Sequence, residues 1–237
     1  MKFEGPSIDV GSLSDGFLAW FNCIRNPAVM CSGLIASENK LSSALRLWVA
    51  TSSIALVINV PAYALHGIKI TEAGFFLSSF VASLLALAAV PAVISSTLRL
   101  YRIPSGFVDV FVMYTIVTAA VLPIITLLSL PATFDMLSIL QSAKQFHLDA
   151  WGVTRQVFAK LMSNRTGEVT PLMTAVVSPI VSVAGFALMT LFTHFVSQRY
   201  QADKFRVVSA VTLGLVFALV PMIVLGLFQL FVMYAFL

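Results

Sequence analysis

The sequence predicts an all-α polytopic membrane protein: a bundle of five transmembrane helices with an amphipathic interfacial helix near the N-terminus. Three observations carry that prediction. Five apolar segments recur between polar turns, at about residues 47–65, 74–97, 106–130, 171–195 and 207–237. At about 1.5 Å rise per residue, each covers most or all of the ~30 Å hydrocarbon core of a bilayer. The chain is 59% hydrophobic and only 10% charged, whereas soluble domains carry about 25% charged residues. Lipid must then be the solvent for much of its surface. Finally, lysine and arginine gather at the ends of the apolar segments rather than in a basic patch. That pattern suits membrane loops and excludes nucleic acid as a partner.

Residues 1–46 read as a cytosolic tail plus the interfacial helix, and residues 47–237 as the transmembrane domain. The start, MKFEGPSIDVGSLSDG, lacks a basic region followed by an apolar one, so it is not a cleaved signal peptide. Residues 1–13 read as a loosely attached tail. Ser14 and Asp15 offer N-cap side chains. Phe17, Trp20, Phe21 and Ile24 then recur at helical spacing up to Pro27. A helix lying in the membrane interface fits this pattern, and so does a partner-binding helix. Cys23 and Cys31 read as two reduced thiols, with palmitoylation beside the interfacial helix as the other reading.

The first span carries a small-to-polar stripe at i+4 spacing: Thr51, Ala55, Asn59 and Tyr63. The second holds the small rows Ser78/Ala82/Ala86 and Ala88/Ala92/Ser96. The third, GFVDVFVMYTIVTAAVLPIITLLSL, is the middle of the bundle. Its only charge is Asp109, and it has a polar row at Tyr114, Thr115 and Thr118. After Pro131 a long connection, residues 132–170, carries most of the polar mass. There Leu148, Trp151, Val157, Phe158, Leu161 and Met162 suggest a helix on the membrane surface. Each span holds one internal proline, at 61, 91, 123, 179 and 221, read as ordinary kinks, with hinges as the functional alternative.

Counting basic residues by side gives nine with the N-terminus and five opposite. Positive-inside therefore puts the N-terminus in the cytosol and the C-terminus outside. The expected location is a bacterial inner membrane, with an endoplasmic-reticulum or Golgi membrane as the alternative. On that alternative, the sequon at Asn164 becomes relevant.

Ionisable residues within spans are functional candidates by default. Asp109, with Tyr114, Asn59 and His194, forms a candidate polar path for a transporter or channel subunit. Asp109 also sits one turn into its helix, where a structural role at the positive dipole end suits it. The three histidines lack carboxylates at ligand spacing, and neither a G-x-S-x-G elbow nor a phosphate loop occurs. The chain is therefore read as non-enzymatic, without cofactor or metal. The last span offers a small-residue ridge at Ala210, Gly214 and Ala218, with Gly226 beyond. Such a ridge permits close helix packing, within the chain or between chains, and Ser78/Ala82/Ala86 is a plausible mate.

In organisation the chain resembles the Yip1-domain membrane proteins, especially bacterial members. The stretch FLAWFNCIRNPAVMCSGLIASENKLSSALRLWVATSS carries the likeness, with a short apolar helix, a proline and a polar gap before span one. MYTIVTAAVLP in span three resembles that family's tyrosine-then-proline pattern, although Tyr114 and Pro123 lie further apart and the third connection is longer. The resemblance implies a non-enzymatic membrane protein, related to eukaryotic proteins of vesicle traffic, and assigns no functional residues. The expected function is a scaffold or partner-binding subunit of a membrane complex, by self-association or with other membrane subunits. The transport reading is the alternative.

Overall fold

The computed structural model describes residues 8–68, 73–145 and 178–236, with isolated helical positions at 152, 155 and 159. The expected surface helix at 148–162, the Asn164 sequon and the start of the expected fourth span lie outside the described residues. Among the described residues every regular element is a helix. These are α1 (Leu13–Arg25), α2 (Pro27–Ala36), α3 (Lys40–Leu65), α4 (Ala73–Leu100), α5 (Phe107–Gln145), α6 (Ser178–Tyr200) and α7 (Lys204–Phe236). Among the described residues, four spans are long and apolar enough to cross a membrane: Lys40–Leu65, Phe80–Leu100, Phe107–Pro131 and Lys204–Ala235.

The N-terminal segment differs from expectation. The cap of α1 is Ser12, not Ser14 or Asp15. Its hydroxyl accepts from Asp15 N, and Ser12 N donates to the Asp15 carboxylate at 2.8 Å, closing a capping box. Residues 8–11 are tied down rather than loose. Ile8 N donates to Gly33 O at 3.0 Å, and Val10 is buried. Arg46 donates to the carbonyls of Val10 and Gly11. A tail with its backbone groups satisfied in this way cannot fray freely. Asn26 closes α1 and caps α2 through Val29 N, with Pro27 at the first helical position, where a missing N–H costs nothing.

α1 lies on α3 through a small face, Gly16, Ala19 and Cys23. A Cβ at Gly16 would sit 2.9 Å from that of Ala50, so glycine sets the closeness of this contact. The large residues Phe17, Phe21 and Ile24 consequently face outward, 44%, 59% and 43% exposed. Trp20 is half-buried.

α3 starts at Lys40, so the expected boundary between residues 46 and 47 falls inside a helix. α5 departs most from the sequence reading, which ended the third span at 130 and opened a connection at 132. The helix instead runs through Pro123 and Pro131 to Gln145. A proline removes one backbone hydrogen bond, but beyond it Leu137 and Leu140 are fully buried in a cluster with Ala62, Tyr63 and Phe75. Gln141 donates to His66 O at 2.8 Å, capping the end of α3. Tertiary packing therefore holds the helix past its breaker. At 39 residues α5 is about 58 Å long, nearly twice a hydrocarbon core.

α5 is the hub, touching each of the other six helices, α7 least. α3 runs parallel to it: Lys40 meets Asp109 at one end, and the His66 ring meets Ser138 Oγ at 3.1 Å at the other. α6 is antiparallel to α5, with Arg199 at Asp109 and Phe192 edge-on to Tyr114. α4 and α7 form the most extensive pair, also antiparallel. Gly214 lies on Ile94 and Thr97, and Gln229 Nε2 donates to Ser83 Oγ. α3 and α4 keep their backbones apart and meet through aromatic side chains, Trp48 against Phe80 at 5.3 Å and Tyr63 edge-on to Phe75 at 5.8 Å between ring centroids. The core is accordingly divided. The larger cluster fills the end where α3, α5 and α7 begin, and the smaller one fills the other end.

The ridge on α7 is used within the chain. Ala210 and Ala218 are buried, and a Cβ at Gly214 would meet Thr97 Oγ1 at 2.7 Å and Ile94 Cα at 3.1 Å. Its mate is thus the Ile94–Thr97 turn of α4 and not the Ser78/Ala82/Ala86 row, because the antiparallel register sets residue 214 opposite the C-terminal half of α4. Gly226 has open space around its Cβ position. Gly214→Leu is therefore expected to cost about 1–3 kcal/mol, read as a lower thermal midpoint of the monomer in detergent, while Gly226→Leu leaves that monomer midpoint unchanged.

Candidate functional site

The four residues of the expected polar path do not converge. Asp109, in the first turn of α5, accepts from Lys40 Nζ at 2.6 Å, and from Arg199 Nη2 at 2.9 Å and Nε at 3.1 Å. One carboxylate thereby joins the start of α3, the start of α5 and the end of α6. Its side chain is 13% exposed, against 32% for Lys40 and 36% for Arg199. Beside it, the Gly106 N–H donates to Tyr200 Oη, Arg99 Nε donates to Ser105 O, and Arg206 donates to Tyr101 O. Cationic side chains thus satisfy the carbonyls of the α4–α5 turn. Arg102 and Gln201, both left-handed, end α4 and α6 nearby. His194 is exposed on α6, with its ring against Phe195.

Asn59 and Tyr114 do meet, in a cavity of about 360 Å³ bounded by α3, α4, α5 and α7. The whole α3 stripe, Thr51, Ala55, Asn59 and Tyr63, lines it. So do Tyr114 and Thr118 from α5. The periodicity was thus a real signal for this wall. Sequence reasoning missed Ser83 and Gln229, which complete the polar lining from α4 and α7. Gln229 is the lone amide in an apolar run, a signal that was available. It also missed Lys40 and Arg199 as partners of Asp109, because pairing across 69 and 90 residues has no local signature.

Asn59 Nδ2 donates to Ala55 O at 3.2 Å, while its Oδ1 is buried without a partner. Trp20 Nε1, Ser95 Oγ and Thr115 Oγ1 are also buried without partners, but none of those residues lines the cavity. The Tyr63 and Tyr114 hydroxyls make no hydrogen bond among the described residues. A second cavity of about 180 Å³ between α3 and α4 shares Trp48, Ser52, Leu56, Phe75 and Ser83 with the first.

Cys23 and Cys31 are both free thiols, sealed at 0% exposure. Burial disfavours the thiolate, pushing Cys23 up to about 12 and Cys31 higher still. Neither sulfur is presented for acylation. Among the described residues no three His, Cys, Asp or Glu side chains gather where they could hold a metal ion.

Comparison with protein-family models, curated proteins and solved structures gives no match.

Proposed function

We propose that this chain is a non-enzymatic integral membrane protein that acts as an assembly or partner-binding subunit of a membrane complex. The supporting observation is the surface of α7. It is the most apolar of the spanning helices, yet 6% of its most apolar window is buried, against 56% in α5. From Leu219 to Val224 it is exposed on nearly every side, and Gly226 follows with nothing near its Cβ position. Lipid tails are as apolar as leucine, so helices associate there by close backbone approach. Gly226 offers that approach to a second transmembrane helix.

In this reading α6 supplies the fifth span, and α1 lies in the interface with Phe17, Phe21 and Ile24 turned to lipid. Lys40, Arg46, Arg99, Arg102, Arg199, Lys204 and Arg206 belong to one end of the bundle, which we assign to the cytosol. A bacterial inner membrane is the proposed location, and the Yip1-type likeness of segment order is part of the same proposal. Transport along a path around Asp109 receives less support, since its carboxylate is held by two cations and does not line the cavity.

Two experiments test this reading. The gently solubilised protein should migrate on a native gel above its monomer mass, and Gly226→Leu should collapse that species to monomer. A wild type that is strictly monomeric and partner-free contradicts the assembly role. A reporter fused after Leu237 should be active only outside the cytosol. Activity inside means that the spans number four or six.

A further inference from the structure

The cavity lies between the two core clusters. Along α3 it reaches from Trp48 to Tyr63, about 22 Å of helix, for a volume of about 360 Å³. A slot so long for its volume has the proportions of one extended chain rather than of a ring system. Its walls are mainly aliphatic and aromatic, with a few polar groups, the usual make-up of a small-molecule site. Among the described residues lining it none is charged. Between α3 and α4 the smaller cavity adjoins it, sharing Trp48, Ser52, Leu56, Phe75 and Ser83 and framed by the Trp48–Phe80 and Tyr63–Phe75 ring contacts. Most of its lining belongs to the spanning segments Lys40–Leu65 and Phe80–Leu100, so in a membrane it lies at the level of the lipid tails.

One polar atom of the lining residues, Asn59 Oδ1, is buried without a partner, and the Tyr63 and Tyr114 hydroxyls, which are not sealed in that way, make no hydrogen bond among the described residues. Buried polar groups without partners are rare, because each carries a desolvation cost that a hydrogen bond removes. The tyrosines can donate to a carbonyl or accept from a hydroxyl, and the amide oxygen can only accept. An anionic headgroup would find no countercharge here, and a cation no carboxylate.

We propose that the slot binds an uncharged membrane amphiphile, a single acyl-type chain bearing hydroxyl and carbonyl groups, which enters from the bilayer between α3 and α4. The chain lies along the apolar walls, and the polar groups bond to Tyr114, Asn59 and Tyr63. The proposal rests on the bundle sitting in a membrane and not on the assembly role. A monomer that binds the amphiphile therefore keeps one reading and removes the other.

The test uses the full chain in detergent, with monooleoylglycerol and its phosphate ester as probes and native mass spectrometry as the readout. Monooleoylglycerol should bind saturably, one per chain. The phosphate ester, with the same oleoyl chain, should bind at least about tenfold more weakly, because its charge has no partner. Tyr114→Phe keeps the ring and removes only an unpartnered hydroxyl, so it should fold normally and weaken binding about fivefold. Ser52→Trp should block that entry and abolish binding. Three results overturn the proposal: no saturable binding by the wild type, which would leave the polar groups to water; equal binding of the phosphate ester; or binding unchanged in Tyr114→Phe. The last of these decides the matter even if Ser52→Trp fails to fold.

Discussion

The Asp109 carboxylate is the interaction on which the arrangement of this bundle depends. Between helices in lipid there is little hydrophobic drive, so relative position must come from close packing and from directional polar contacts. Asp109 supplies the strongest of these. It lies in the first turn of the hub helix, where the helix dipole favours an anion. It takes Lys40 from α3 and Arg199 from α6. Those two contacts set the level at which α3 and α6 sit against α5. The pairing also explains why an acidic residue is tolerated so close to an apolar run. It is neutralised by neighbours at the end of the bundle and is not placed to work in its middle.

The opposite end is held by different means. There Leu137 and Leu140 extend the core beyond the span of α5, and Gln141 and Ser138 engage His66. Two packed ends with a mainly apolar, uncharged slot between them form a coherent design. α3 is packed along α5 and α4 along α7, while α3 and α4 meet chiefly through ring contacts, Trp48 on Phe80 and Tyr63 on Phe75. The fold thus combines two closely packed helix pairs with a cavity-lined seam between α3 and α4. α7 adds a second kind of surface, apolar on almost all sides and smooth at Gly226.

Much of this was legible in the sequence where a period governs it. The Thr51–Ala55–Asn59–Tyr63 stripe and the Tyr114–Thr118 pair follow from helical spacing, and both reached the same cavity. The ridge at Ala210, Gly214 and Ala218 marked a close contact, although not its mate, because register between distant helices leaves no local trace. What could not be read depends on tertiary context. Pro131 looked like a stop and is not one, since the residues beyond it are buried. Ser12 outcompeted Ser14 and Asp15 as cap because only there does the Asp15 carboxylate reach back to close the box. Asp109 was visible as an oddity, but its partners lie 69 and 90 residues away.

The central claim, that one carboxylate couples α5 to its neighbours, is tested most directly by a double-mutant cycle on Asp109→Asn and Arg199→Gln. Stability would be measured by unfolding in mixed micelles. Arg199 is over a third exposed, so solvent screening reduces what the pair contributes. The account predicts a coupling energy of about 0.5–2 kcal/mol, with the double variant less destabilised than the two single effects together. Effects that add to within about 0.3 kcal/mol would show that the two side chains act independently and would contradict the account.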